Sequence, residues 1–154
     1  TRGKSSWRLV WNDIVYQPGE LTAVALAPDG SALMRETVRS ASAPAALTLS
    51  ADRPELSANG EDLAFITVSV VDKDGTLQPS AEHSVHFEVT GAGSFAAAGN
   101  GDSTSTELFC AGSIKAFHGQ CVCIVRAGTT PGRLRLTATA DGLPSAEIEL
   151  EVKK

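Results

Sequence analysis

A chain of 154 residues with 42% hydrophobic content and a formal net charge of −5 can bury a core and is not a disordered tail. The acidic balance excludes a nucleic-acid binder, because phosphate contacts need clustered Lys and Arg, and here only Arg2, Lys4 and Arg8 lie close together. No apolar run approaches the roughly 20 residues of a membrane span, and Thr1 is neither a translation start nor part of a secretory leader, so the chain is expected to be a trimmed piece of a larger protein.

Aromatic residues make up only 5%, so a core must be built from Val, Leu, Ile and Ala. β-branched residues are spread throughout and no long helical periodicity exists, which predicts an all-β chain. Trp7-Arg8-Leu9-Val10-Trp11 alternates, with Trp7, Leu9 and Trp11 on one face, and predicts a first strand. Pro18-Gly19 turns the chain into a strand over 21–27. Asp29-Gly30 is a hairpin signal, and residues 32–40 are the returning strand. The small, proline-bearing stretch 41–45 then reads as a linker.

Beyond it the pattern starts afresh. Residues 46–51 turn Leu47 and Leu49 inward, and 63–72 set Ile66, Val68 and Val70 opposite Phe65, Thr67, Ser69 and Val71. Residues 85–90 turn Val85, Phe87 and Val89 inward, and 93–97 form a short strand. A polar loop occupies 99–106. Residues 119–127 place Cys121, Cys123 and Val125 on one face, 133–140 place Leu134, Leu136 and Ala138 inward, and 146–152 close the series. Short strands at roughly ten-residue spacing with turns between them are the pattern of an immunoglobulin-like β-sandwich. Residues 43–154 are therefore expected to form one complete sandwich of the bacterial immunoglobulin or invasin-like type. Residues 1–42 have too few strands to close one, and are expected to be the C-terminal part of a truncated β-domain, a three-stranded meander whose apolar face packs on something else.

The residues show little chemistry. Glycoside hydrolysis needs two carboxylates flanking the scissile bond, but Asp29, Asp74 and Asp141 precede turn glycines, and Glu147, Glu149 and Glu151 alternate outward. His83 and His86 point to opposite faces and His118 precedes a turn glycine, so no metal site is expected. No Ser stands in a Gly-x-Ser-x-Gly elbow. Cys121 and Cys123 read as small core hydrophobes, with a disulfide from Cys110 to either left open. No cofactor is expected. Two features remain as candidate glycan or interface contacts. Asn100 and Asp102, in Gly99-Asn100-Gly101-Asp102, offer oxygens to calcium or a sugar, or cap their own loop. Trp7 and Trp11 offer a sugar-stacking platform, or core and interface contacts.

The run Trp11-Asn12-Asp13-Ile14-Val15-Tyr16-Gln17-Pro18-Gly19-Glu20-Leu21-Thr22-Ala23-Val24-Ala25 resembles a segment of bacterial glycoside hydrolase family two enzymes. Leu47 to Arg53, Asn59 to Val68, Val71 to Gly75, Gly99 to Asp102, Ala116 to Gln120 and Ala138 to Leu143 resemble that family's next, C-terminal module in the same order. The resemblance implies that the first stretch belongs to an immunoglobulin-like domain after the catalytic barrel. It further implies a parent of β-galactosidase type, with β-glucuronidase and β-mannosidase sharing the architecture. The family's catalytic glutamates lie in the barrel, so the resemblance implies a non-catalytic accessory region. Its partner would be the remainder of the parent hydrolase, with carbohydrate as a second candidate, in the periplasm or at the cell surface. A bacterial adhesin or invasin-like stalk and a carbohydrate-binding module are the rival readings.

Overall fold

Alternation with a period of two becomes a strand only where a neighbour supplies a backbone ladder. The computed structural model describes residues 9–154. No helix occurs among them, and the strands are β1 (Glu20–Leu26), β2 (Ala32–Arg39), β3 (Ala46–Ala51), β4 (Glu55–Ser57), β5 (Leu63–Val71), β6 (Ser84–Gly91), β7 (Gly93–Gly99), β8 (Ser113–Lys115), β9 (Gln120–Ala127), β10 (Gly132–Ala140) and β11 (Leu143–Lys153). They fall into two compact units, the first ending at Ser40 and the second spanning Ala41–Lys154.

The second unit is a sandwich of two sheets, β3-β5-β9-β7 and β4-β11-β10-β6-β8. The short β4 runs parallel to β11 and the other pairings are antiparallel. Each long strand turns alternate side chains inward. Ala64, Ile66, Val68 and Val70 come from β5, Cys121, Cys123 and Val125 from β9, and Leu134, Leu136 and Ala138 from β10, all buried. Phe87 and Phe95 stack at 6.3 Å between ring centres and pack against both halves of this layer. The inward sets are those the alternation predicts. β4 and β8 were not expected, because three residues are too few to display a period.

Asp72 is the only buried charged side chain among the described residues. Its carboxylate accepts hydrogen bonds from the Ser42 backbone N–H (2.8 Å) and hydroxyl (3.2 Å), and from the Asp74 and Thr76 N–H groups (both 2.9 Å). It thereby fastens the start of the second unit to the turn after β5. Ala41 and Ser42, which the expected boundary after residue 42 counts with the first unit, fold with the second. The Ser42 N–H, followed by that of Thr76, favours the charged carboxylate and pulls its pKa from 3.8 to about 2.

The first unit holds a hairpin in which β1 pairs antiparallel with β2 around Asp29-Gly30. One face carries the Glu20–Arg39 ion pair at 2.6 Å and the Thr22–Thr37 hydroxyl pair at 2.9 Å. The other carries Leu21 against Val38 and Ala25 against Met34. Of the strand expected over residues 7–11, the structure describes Leu9, Val10 and Trp11. Leu9, Val10 and Trp11 form no strand, since no neighbouring ladder engages them, and the described part of this unit is two-stranded. Trp7 lies outside the described residues.

Two adjacent residues of β5 test the sandwich. Ile66→Ala opens a cavity in the sealed layer and should cost about 2–5 kcal/mol, whereas Phe65→Ala on the outer face should cost well under half as much. Urea denaturation midpoints check this, and equal losses would mean that the two faces are not distinguished. Acid tests Asp72. Its pKa is lower in the folded chain than in the unfolded one, so its stabilisation is complete above pH 3.8 and is lost as pH falls toward about 2. Denaturation midpoints of Asp72→Asn between pH 5 and 2 should fall less steeply than those of the native chain; parallel curves would refute the assignment.

Candidate functional site

The two outer faces of the sandwich differ in chemistry. On β10 and β11 the outward residues are charged and pair across the ladder, Arg135 with Glu149 at 2.7 Å and Arg133 with Glu149 at 3.4 Å. Lys153 pairs with Glu151 at 3.2 Å and also with Glu55 on β4. Such exposed pairs contribute about 0–1 kcal/mol each and keep the face wetted. On the other sheet the outward phase mixes apolar residues with Thr67, Ser69, Gln120 and Arg126. Phe65 of β5, Val122 and Ile124 of β9 and Ala97 of β7 form the floor of an open groove of about 770 Å³. Phe65 is 45% exposed.

The walls of the groove come from two loops. Residues 100–112 carry Phe109 and the turn between β8 and β9 carries Phe117 and His118, all lining the groove. The first loop is pinned at both ends. The Ala98 N–H donates to the Phe109 carbonyl at 2.7 Å, and the Asn100 side-chain amide donates to the Lys115 carbonyl at 2.7 Å. Asn100 Oδ1 accepts the Asp102 N–H at 3.0 Å, while Asp102 accepts the Thr104 N–H and hydroxyl at 2.8 and 2.7 Å. Those bonds from Thr104 hold the Asp102 carboxyl below its ordinary pKa. Asn100 and Asp102 thus bond within the loop, and Asn100 also lines the groove. The glycines on either side of Asn100 lie beneath the two rings, each with room for a β-carbon in ordinary van der Waals contact. A β-carbon at Gly99 would lie 3.9 Å from Phe109, and one at Gly101 would lie 3.6 Å from Phe117.

The second wall is held by backbone strain. His118 adopts φ +50° and Gly119 φ +78°. A β-carbon at Gly119 would stand 2.3 Å from the Gln78 carbonyl oxygen, so only glycine lets this turn close on the preceding loop. The turn sets the His118 and Phe117 rings edge to face, 4.2 Å apart. The histidines do not converge: His86 is exposed on β6, His83 is half-buried ahead of it, and His118 sits at the groove. Among the described residues, no three His, Cys, Asp or Glu side chains gather as metal ligands.

All three cysteines are free thiols, with Cys110 exposed and the other two buried. Burial pushes Cys121 and Cys123 up to about 12, so they remain protonated through the neutral range and serve as small apolar side chains. Trp11 stands apart in the first unit. It is 58% exposed and lines a cleft of about 430 Å³ with Ile14, Leu21 and Val38.

The three phenylalanines of the groove were not picked out from the sequence. The signal for Phe65 was present, because an apolar residue in the outward phase of a strand already apolar in its inward phase marks a sheet covered on both sides. Phe109 and Phe117 lie on loops, where no periodicity applies.

The family described as glycoside hydrolase family 2 C-terminal domain 5 matches residues 47–149. The chain is 34% identical over 149 residues to the beta-galactosidase BoGH2A of Bacteroides ovatus, covering 97% of this chain and 17% of that protein. A beta-galactosidase of Thermoanaerobacter pseudethanolicus is 41% identical over 73 residues, covering 47% of this chain and 10% of the relative. A solved glycosyl hydrolase family 2 member from Bacteroides cellulosilyticus superposes with a TM-score of 0.87 at 36% identity, over 92% of this chain and 18% of the other. The matched part of the chain therefore spans less than a fifth of the length of each.

Thiol titration checks the cysteine placement. A disulfide-exchange reagent at pH 8 should modify Cys110 alone in the folded chain and all three cysteines after denaturation. Rapid reaction of a second thiol in the folded state would contradict the burial of Cys121 and Cys123.

Proposed function

The chain belongs to the glycoside hydrolase family 2 C-terminal domain 5 family, and from that membership we propose that it is a non-catalytic accessory region of a hydrolase that cleaves terminal β-galactosides. The observation that carries the reading is the alignment of 97% of the chain with one beta-galactosidase at 34% identity. Physical chemistry supports the non-catalytic half. Glycosidases bring two carboxyl groups to either side of the scissile bond, about 5–10 Å apart. The groove on this chain has no Asp or Glu in its lining. The carboxylates of Glu147 and Glu149 lie on the outer face of β11, engaged by Arg135. The Arg135 hydrogen bond holds the Glu149 carboxyl below its ordinary range, so it stays ionised and cannot protonate a leaving group.

The accessory role is mechanical. Sheets joined by a sealed apolar layer form a stiff block, and such a block holds neighbouring domains at a fixed spacing more firmly than a flexible segment does. The exposed apolar face of the first-unit hairpin fits the same role. A two-stranded hairpin is marginal by itself, and Leu21, Ala25, Met34 and Val38, around Glu36 opposite Ala23 on the same face, are suited to packing against further strands of the domain to which it belongs.

An aryl-glycoside panel run on the full-length parent and on this chain side by side tests the proposal. The parent should hydrolyse the β-galactoside and the chain should hydrolyse none. Turnover by the isolated chain would overturn the non-catalytic assignment, and a parent that cleaves only another glycoside would overturn the substrate.

A further inference from the structure

We infer that the groove between Phe65, Phe109 and Phe117 is the seat of another domain of the same polypeptide, which presents to it an uncharged, apolar segment. This rests on the reading of the chain as an accessory region of a larger hydrolase.

The contrast between the two outer faces is the first argument. A sheet face meant for water alternates to polar residues, and β10–β11 does so with its Arg and Glu ladder. The opposite sheet instead shows water Phe65 at 45% exposure, with Phe109 at 64% and Phe117 at 37% on its walls. A contiguous apolar concavity of this kind marks a contact surface. The lining contains no Asp, Glu, Lys or Arg, so a charged segment would lose its hydration there without gaining a partner.

The second argument concerns the polar groups at the rim. Sugar recognition needs free donors and acceptors beside the aromatic rings. Here the Asn100 amide is committed to the Lys115 carbonyl and the Asp102 N–H, and the Gln120 amide donates to Ser69 Oγ at 3.0 Å. What remains of the lining is His118, set edge to face against Phe117, Thr67 and otherwise hydrocarbon, which suits protein side chains better than a ring of hydroxyl groups. The pinned loop also preforms the wall, so little ordering cost opposes docking.

The third argument identifies the occupant. The chain accounts for 17% of the Bacteroides ovatus relative and 18% of the Bacteroides cellulosilyticus one. More than four-fifths of such a polypeptide therefore lies outside the matched region.

Hydroxyl-radical footprinting of the full-length parent and of this chain tests the seat. Phe65 and Phe109 should oxidise roughly fivefold or more slowly in the parent, as buried interface residues do, while exposed His86 on the other sheet should react equally in both. The double variant Phe109→Lys/Ile124→Lys, made in the parent, should restore oxidation of Phe65 to the rate in the isolated chain. Equal oxidation of Phe65 and Phe109 in parent and chain would overturn the inference. So would protection of the isolated chain by a β-galacto-oligosaccharide, which would make the groove a sugar site. The footprint is independent of which glycoside is cleaved, so an inactive parent with a protected groove would remove the proposed activity and leave the seat standing.

Discussion

Ile66 on β5, Cys123 on β9 and Leu136 on β10 are wholly excluded from water, and they lie in one layer between two sheets. Each belongs to a set spaced by two along its strand. A register slip of one residue would bring Arg133 and Arg135 inside and turn Leu134 and Leu136 out, exchanging hydrocarbon for charge in the layer. This penalty fixes the pairing of every long strand in the second unit. The positions of the loops, the opposed outer faces and the groove then follow from which side of each strand is already spent on the interior.

That layer was legible in the sequence because its signal is short-range. Val85, Cys121, Cys123, Leu134 and Leu136 announce their faces through neighbours two residues away, and Asp29-Gly30 announces its turn through the backbone freedom of glycine. What lay beyond reading depended on partners distant in the chain. β4 exists because β11 passes beside it, and the groove depends on Phe65, Phe109 and Phe117 converging from three separate segments. The segment before β1 fails as a strand for the complementary reason, since alternation at Leu9 and Trp11 meets no ladder among the described residues.

The loop at Asn100 shows how one motif can serve a site without touching a ligand. Its polar atoms are consumed in holding the segment that carries Phe109. Asp72 does similar work at the entrance of the second unit, where four donors converge on one carboxylate. In both places a polar side chain fixes backbone, and at the Asn100 loop the surface that results is apolar at Phe109. The chemistry visible in the sequence and the chemistry presented by the fold are therefore different.

The closeness of Gly119 to the Gln78 carbonyl affects how related sequences should be compared. Any side chain at that position collides with backbone that has nowhere to retreat, so glycine will persist there wherever this turn is kept, whatever the protein around it cleaves or binds. Persistence at Gly119 is a record of geometry. Among relatives that share the turn, variation at Phe109 and Phe117 is the better record of what the groove has been selected to meet.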